Sequence, residues 1–206
     1  MYARSTTIRG NPQAMDDGIG YVRDKVLPAV EQMDGCVGLS MFADRESGRC
    51  IVTSAWADAD RLRRSREGVM AMRRRAAEIL GGDAEVQEWE IAILHRSHQM
   101  HHGACARVIW CEGDPAQMDR AVDAFRMVML PRIEELPGFC SVSVMVDPEH
   151  GRSATAVTYD SRESMKEAEG PGTAMRQEFA QQMGMTVTDV AAYDVVVAHL
   201  RVPETV

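Results

Sequence analysis

The chain has 206 residues, of which 45% are hydrophobic and 26% charged, the balance of a globular protein long enough to bury a sizeable core. Its 31 acidic residues against 23 basic ones give a formal charge of -8, which argues against a general nucleic-acid binder. No apolar run approaches the ~20 residues that span a bilayer, and the five cysteines (Cys36, Cys50, Cys105, Cys111, Cys140) show no CxxC spacing. With no signal-peptide pattern at Met1-Tyr2-Ala3-Arg4-Ser5, the expectation is a cytoplasmic chain with reduced thiols.

An internal repeat organises the rest. At an offset of 103 residues, Ala3-Arg4 falls on Ala106-Arg107 and Gly10-Asn11-Pro12 on Gly113-Asp114-Pro115. Leu27-Pro28 falls on Leu130-Pro131, Gly48-Arg49 on Gly151-Arg152, and Ala71-Met72-Arg73 on Ala174-Met175-Arg176. One extra residue in the second copy then aligns Trp89-Glu90 with Tyr193-Asp194 and His95 with His199. The expected organisation is repeat 1 over 1–95, a linker over 96–103 and repeat 2 over 104–206.

Each repeat reads as strand, helix, strand, strand, helix, strand. The first strand (Tyr2 to Arg9; Cys105 to Cys111) stops where Asn11 or Asp114 can cap a helix that has proline at its first position. Met15, Ile19, Val22, Val26, Val30 and Met33 then recur at steps of three and four. Met118, Val122, Phe125, Met129, Ile133 and Leu136 repeat the stripe, the buried face of an amphipathic helix. Pro28 and Pro131 predict a kink inside it, and Gly35 and Gly138 its end. A hairpin follows, Val37 to Ala43 and Arg49 to Trp56, around a polar loop closing on Gly48. Asp58 and Ser161 are caps for the second helix, which Gly68 and Gly170-Pro171-Gly172 should break into two pieces in each repeat. The last strand is Val86 to His95, or Val190 to Leu200.

A βαββαβ order with antiparallel strands predicts an α+β fold of two tandem ferredoxin-like units. Each unit leaves one sheet face bare, so the two should pack as an intramolecular dimeric α/β barrel.

The run Met33-Asp34-Gly35-Cys36-Val37-Gly38-Leu39-Ser40, with Gly48-Arg49 and Thr53-Ser54-Ala55-Trp56-Ala57-Asp58, resembles the antibiotic biosynthesis monooxygenase domain family. The second repeat fits through Leu136-Pro137-Gly138-Phe139, Gly151-Arg152 and Val157-Thr158-Tyr159-Asp160-Ser161. The resemblance implies the same barrel fold, shared there by oxygenases, heme-degrading enzymes and members without known activity. Residues matching the heme-degrading branch would be an Asn on the first strand and a Trp and a His on the second helix. Here those positions hold Ala3 and Ala106, Ser65 and Ala168, and Arg75 and Glu178, which disfavours heme degradation. The cofactor-free oxygenase branch implies an apolar pocket with a few polar groups, acting on an aromatic or polyketide-like molecule. The competing reading is a non-catalytic ligand-binding or stress-related protein on the same fold.

Both readings involve a small molecule, and neither asks for a cofactor or metal. A homodimer of the two-repeat chain is compatible with either. His95 and His199, at the ends of the last strands, are the candidate general bases, or else strand-end residues bonded to a neighbour. Trp89, Ile91, Ile93 and His95 should share one strand face, as should Tyr193, Val195, Val197 and His199. Arg4 and Arg107, mid-strand, are candidate anion clamps or structural ion pairs. Trp56, Tyr159, Trp89 and Tyr193 are candidate pocket walls or core plugs, and Met70, Met72, Met165 and Met175 could line a pliable pocket. His98, His101 and His102 would share a face only if the linker were helical, so a metal site there is not expected. The arginines from Arg61 to Arg75 read as a solvated helix face.

Overall fold

Strand β1 (Tyr2–Arg9) ends where Asn11 accepts a hydrogen bond from the Gln13 amide at 3.0 Å and Pro12 opens a short 3-10 turn. In the computed structural model, which describes residues 1–98 and 103–200, this turn leads into α1 (Met15–Tyr21), a widened turn over Val22–Val26 and α2 (Leu27–Glu31). Then come β2 (Cys36–Asp44), β3 (Arg49–Trp56), α3 (Ala59–Leu80) and β4 (Asp83–Arg96). The second half repeats the order as β5 (Cys105–Glu112), α4 (Met118–Ala124), a widened turn over Phe125–Met129, α5 (Leu130–Glu134), β6 (Phe139–Asp147) and β7 (Arg152–Tyr159). It finishes with α6 (Arg162–Glu167), α7 (Glu169–Met183) and β8 (Thr186–Leu200). These are two ferredoxin-like βαββαβ units, and the described strands run β1-β3-β2-β8-β5-β7-β6-β4 in a closed barrel. No helix among the described residues is long and apolar enough to cross a membrane.

Two compact units emerge, and each last strand is divided between them. The first comprises residues 1–89 with the described residues from Tyr193 onward, whose strand pairs with β2 from Ala43↔Asp194 to Gly38↔Leu200. The second comprises Glu90–Ala192, in which Glu90 to Arg96 pairs with β6. In each unit the helices cover one sheet face. The first core gathers Met15, Val22, Val30, Met41, Trp56 and Leu80, each 1% exposed or less. Its counterpart gathers Met118, Phe125, Ile133, Val142, Val144 and Tyr159. Each such side chain contributes roughly 1.5–3 kcal/mol on burial.

Both stripe helices absorb their proline upstream of it. In a regular helix the Pro28 ring would run into the Asp24 carbonyl, four residues back. The turn before it instead widens to a five-residue step, Leu27 N–H donating to the Val22 carbonyl, and Leu130 to Phe125 repeats this before Pro131.

The second helices differ from expectation. Gly68 does not break α3, which runs 22 residues without interruption, because a helical glycine costs only about 1 kcal/mol and removes no hydrogen bond. Pro171 does break its counterpart, since its ring would meet the Glu167 carbonyl, and α6 ends at Glu167.

The strand faces also need correcting. In β4, Ile91 lies opposite Met145 and Ile93 opposite Val144, so Ala92 is an extra, bulged residue. Ile91 and Ile93 therefore point to opposite faces, and Trp89 does not share one with His95. The same shift in β8 places Val195 opposite Phe42 but Val197 opposite Met41.

The hairpin loops turn on glycine. Gly48 has φ +72°, its carbonyl accepts from Gly10 N–H at 2.9 Å, and an added Cβ would lie 2.2 Å from the Gly10 carbonyl oxygen. Gly81 has a similar φ of +66° with open space around it. Gly81→Ala should therefore cost about 1–2 kcal/mol from backbone strain alone. Gly48→Ala should cost clearly more because a backbone atom must move. Urea midpoints compared at unchanged m value would show this, and equal losses would contradict it.

Candidate functional site

Each unit holds a cavity between its sheet and its helices, and the two differ in size and in how their polar groups are satisfied. The cavity of the first unit has a volume of about 50 Å³ and that of the second about 90 Å³. The larger has room for the centres of several waters, which need about 10–15 Å³ each. Its walls are mostly apolar, with Phe125 and Phe179 in edge-to-face contact at 5.8 Å. The polar groups lining it are Arg107 and Cys111 of β5, Ser153, Thr155 and Tyr159 of β7, and Arg176 of α7. Strand alternation puts the β5 and β7 residues on one face, towards the helices. Gly172 of α7 lines this cavity where the aligned residue of the first unit's cavity is Val69.

The first unit closes its site internally. Arg4, only 2% exposed, donates through Nε and Nη2 to Glu88 Oε1 at 3.0 and 2.8 Å. It also donates through Nη1 to Ser65 Oγ at 2.8 Å and through Nη2 to the Leu62 carbonyl at 2.7 Å. Burial works to raise the Glu88 carboxyl, but the hydrogen bonds and charge of Arg4, then of Arg66, outweigh it and hold the group below the ordinary carboxylate range. Trp56 is fully buried, with its indole N–H on Ser54 Oγ at 3.1 Å.

The second unit has the arginine without these partners. At the aligned positions Glu88 becomes Ala192, Ser65 becomes Ala168 and Ser54 becomes Val157. Arg107 is 9% exposed, and its ion-pair partner among the described residues is Glu169, 3.9 Å away on an exposed side chain. Arg176 is pushed below the usual guanidinium value, first by burial and then by the like charge of Arg107. Burial also raises the Tyr159 phenol despite the nearby Arg107, so at neutral pH it is a neutral hydrogen-bond donor. Burial pushes the Cys50 thiol up to about 12 and raises Cys111 as well, so neither supplies a thiolate nucleophile.

The other candidate residues fall elsewhere. His95 Nε2 lies 2.5 Å from Glu134 Oε1 and its ring stacks on Phe139, while His199 Nε2 lies 2.6 Å from Glu31 Oε1. Neither histidine lines either of these two cavities. Trp89 donates to Ser5 Oγ at 2.8 Å, and Tyr193 stacks on Phe42 with the Arg49 guanidinium 5.9 Å from its ring centre. Met72 and Met175 line the two cavities, Met165 is buried in the second core, and Met70 is half exposed. The α3 arginines meet nearby carboxylates, Arg61 with Asp58 and Asp34, Arg63 with Asp60 and Arg75 with Glu78. His101 and His102 lie outside the described residues. Among those described, no group of three His, Cys, Asp or Glu is placed to hold a metal. Glu88 and Ala192 escaped the sequence reading, although they immediately precede the aligned Trp89 and Tyr193.

No family model matches the chain. Over 207 residues it is 46% identical to the uncharacterized protein Rv2558 of Mycobacterium tuberculosis, covering 100% of this chain and 88% of the relative. The chain belongs to the family of that mycobacterial protein. In fold it is similar to an anthrone oxidase-like protein (TM-score 0.67, 14% identity, 97% of this chain and 93% of the other). It is also similar to an uncharacterized ferredoxin-fold protein of Listeria monocytogenes related to antibiotic biosynthesis monooxygenases (TM-score 0.55, 9% identity, 95% and 94%). The fold is thus the antibiotic biosynthesis monooxygenase-like barrel expected from the sequence.

Glu88, with its lowered pKa, stabilises the fold fully above its unfolded value of about 4.3, and that contribution is lost as pH falls through the lower folded value. Glu88→Gln should therefore cost about 1–3 kcal/mol at neutral pH, with the gap to the wild type closing in acid. Thermal melts from pH 7 to roughly pH 3 check this, and a gap independent of pH would refute the charge argument.

Proposed function

We propose that the second unit's cavity binds a small aromatic or polyketide-like molecule and that the protein is a cofactor-independent monooxygenase acting on it. The observation that carries this reading is the apolar cavity of about 90 Å³ whose polar lining includes the neutral Tyr159 phenol, the buried Arg107 and the half-buried Arg176. The anthrone oxidase-like and monooxygenase-related fold neighbours support it. The repeated unit order and aligned residues fit a duplicated domain whose second copy keeps the site.

An anthrone-type substrate needs little from the protein. Once deprotonated it donates electrons to dioxygen itself. One oxygen atom becomes a ring carbonyl, and the other leaves as water with the two hydrogens of the oxidised carbon. In this reading Tyr159 donates to the substrate oxygen, and Arg107 and Arg176 stabilise the anion. The proton leaves through solvent, since His95 and His199, the candidate bases, do not line this cavity. Non-catalytic ligand binding is the second reading. It is favoured by the engagement of both histidines with glutamates outside the cavity and by the raised thiols.

Oxygen uptake with anthrone and 1,8-dihydroxyanthrone tests the pair. One dioxygen consumed per substrate, falling about tenfold or more in Gly172→Val at unchanged melting temperature, is the expected result for the enzyme. Binding without uptake would select the second reading, and absence of both would sink the cavity assignment.

A further inference from the structure

The geometry points to a carboxylate as the group that the second unit's cavity recognises: an aromatic or polyketide-like acid whose oxygens take the place on Arg107 that Glu88 takes on Arg4. The inference rests on the cavity being a ligand site and not on any oxygen chemistry.

The first unit contains the model for the complex. There a guanidinium in the same strand position is met by Glu88 Oε1 through two donors, by Ser65 Oγ and by a helix carbonyl. Guanidinium matches a carboxylate through two parallel donors, and the pair is stronger when shielded from water. In the second unit Arg107 is nine-tenths buried and lines the cavity, yet its one described carboxylate approach, at 3.9 Å, is beyond hydrogen-bond reach. An exposed carboxylate at that distance binds weakly and can swing into solvent.

Three exchanges act in the same direction. Ala192 and Ala168 remove the internal acceptors, and Gly172 replaces a valine, leaving volume where the side chain was. Arg176, also lining the cavity, adds a second positive charge to the same end and makes a neutral ligand group a poor substitute for an anion. The first unit does not bind such an acid, because Glu88 already holds its arginine and Val69 narrows its cavity. One acid per chain is therefore expected.

Isothermal titration with 2-naphthoate and its uncharged isostere 2-naphthamide tests the assignment. The acid should bind once per chain and about tenfold or more tighter than the amide, the worth of one charge-assisted hydrogen bond. Ala192→Glu, at an exposed position, supplies an internal carboxylate and should remove that preference while leaving amide binding within a few-fold. Arg107→Gln should remove the same preference. Failure of the acid to bind, equal affinity for acid and amide, two acids per chain, or an Ala192→Glu variant that still prefers the acid would each overturn the inference. Loss of oxygen uptake with naphthoate binding intact would strike the oxygenase reading alone. Anthrone oxidation without any preference for the acid would strike only this inference.

Discussion

A guanidinium placed mid-strand beneath a layer of helices must find acceptors, because leaving a buried charged donor unmatched costs several kcal/mol. Arg4 meets this demand with three elements at once: its own β1, the first turns of α3 through Leu62 and Ser65, and β4 through Glu88. The arrangement pins helix to sheet beside the first unit's cavity, which Arg4 also lines. Arg107 inherits the position without the acceptors.

The widened turns serve the same geometry. They are forced by Pro28 and Pro131, and they place Val22 and Val26, or Phe125 and Met129, where these residues form cavity walls. A regular helix would advance the following side chains by a different angle, since each five-residue step adds a residue to the turn. Proline thus fixes how the stripe helix lies over the sheet in both units. The residues of α3 or α7 then decide how much room is left, Val69 in one and Gly172 in the other.

What the sequence revealed is what local chemistry dictates. The span Tyr2–Arg9, the hairpin turning at Gly48 and the caps at Asn11, Asp114, Asp58 and Ser161 follow from strand propensity, turn glycine and side-chain capping, all settled within a few residues. The stripes were legible because a helix buries residues at steps of three and four. The bulges at Ala92 and Val196 were not, since an extra residue in a strand leaves no mark on composition and is seen only against the partner strand. Gly68 misled because a glycine weakens a helix without breaking it, whereas Pro171 breaks one by removing a donor and colliding with a carbonyl. For the site, Arg107 and Tyr159 were identifiable by residue type, but Arg176 and Cys111 joined them only through tertiary packing.

The differences between the two units at aligned positions carry the strongest argument about the site. Glu88 to Ala192 and Ser65 to Ala168 take acceptors from the arginine, and Val69 to Gly172 takes bulk from the wall. Ser54 to Val157 takes from the strand-end aromatic the hydroxyl that holds Trp56 in the first unit, and that aromatic is now Tyr159. Gly172 and Val157 stand in the wall of the second cavity, and Ala192 and Ala168 are the counterparts of the residues that hold Arg4 in the first unit. In the proposed reading, a ligand with its own anionic oxygens and apolar bulk meets Arg107 and the wall at Gly172, where the first unit uses Glu88 and Val69.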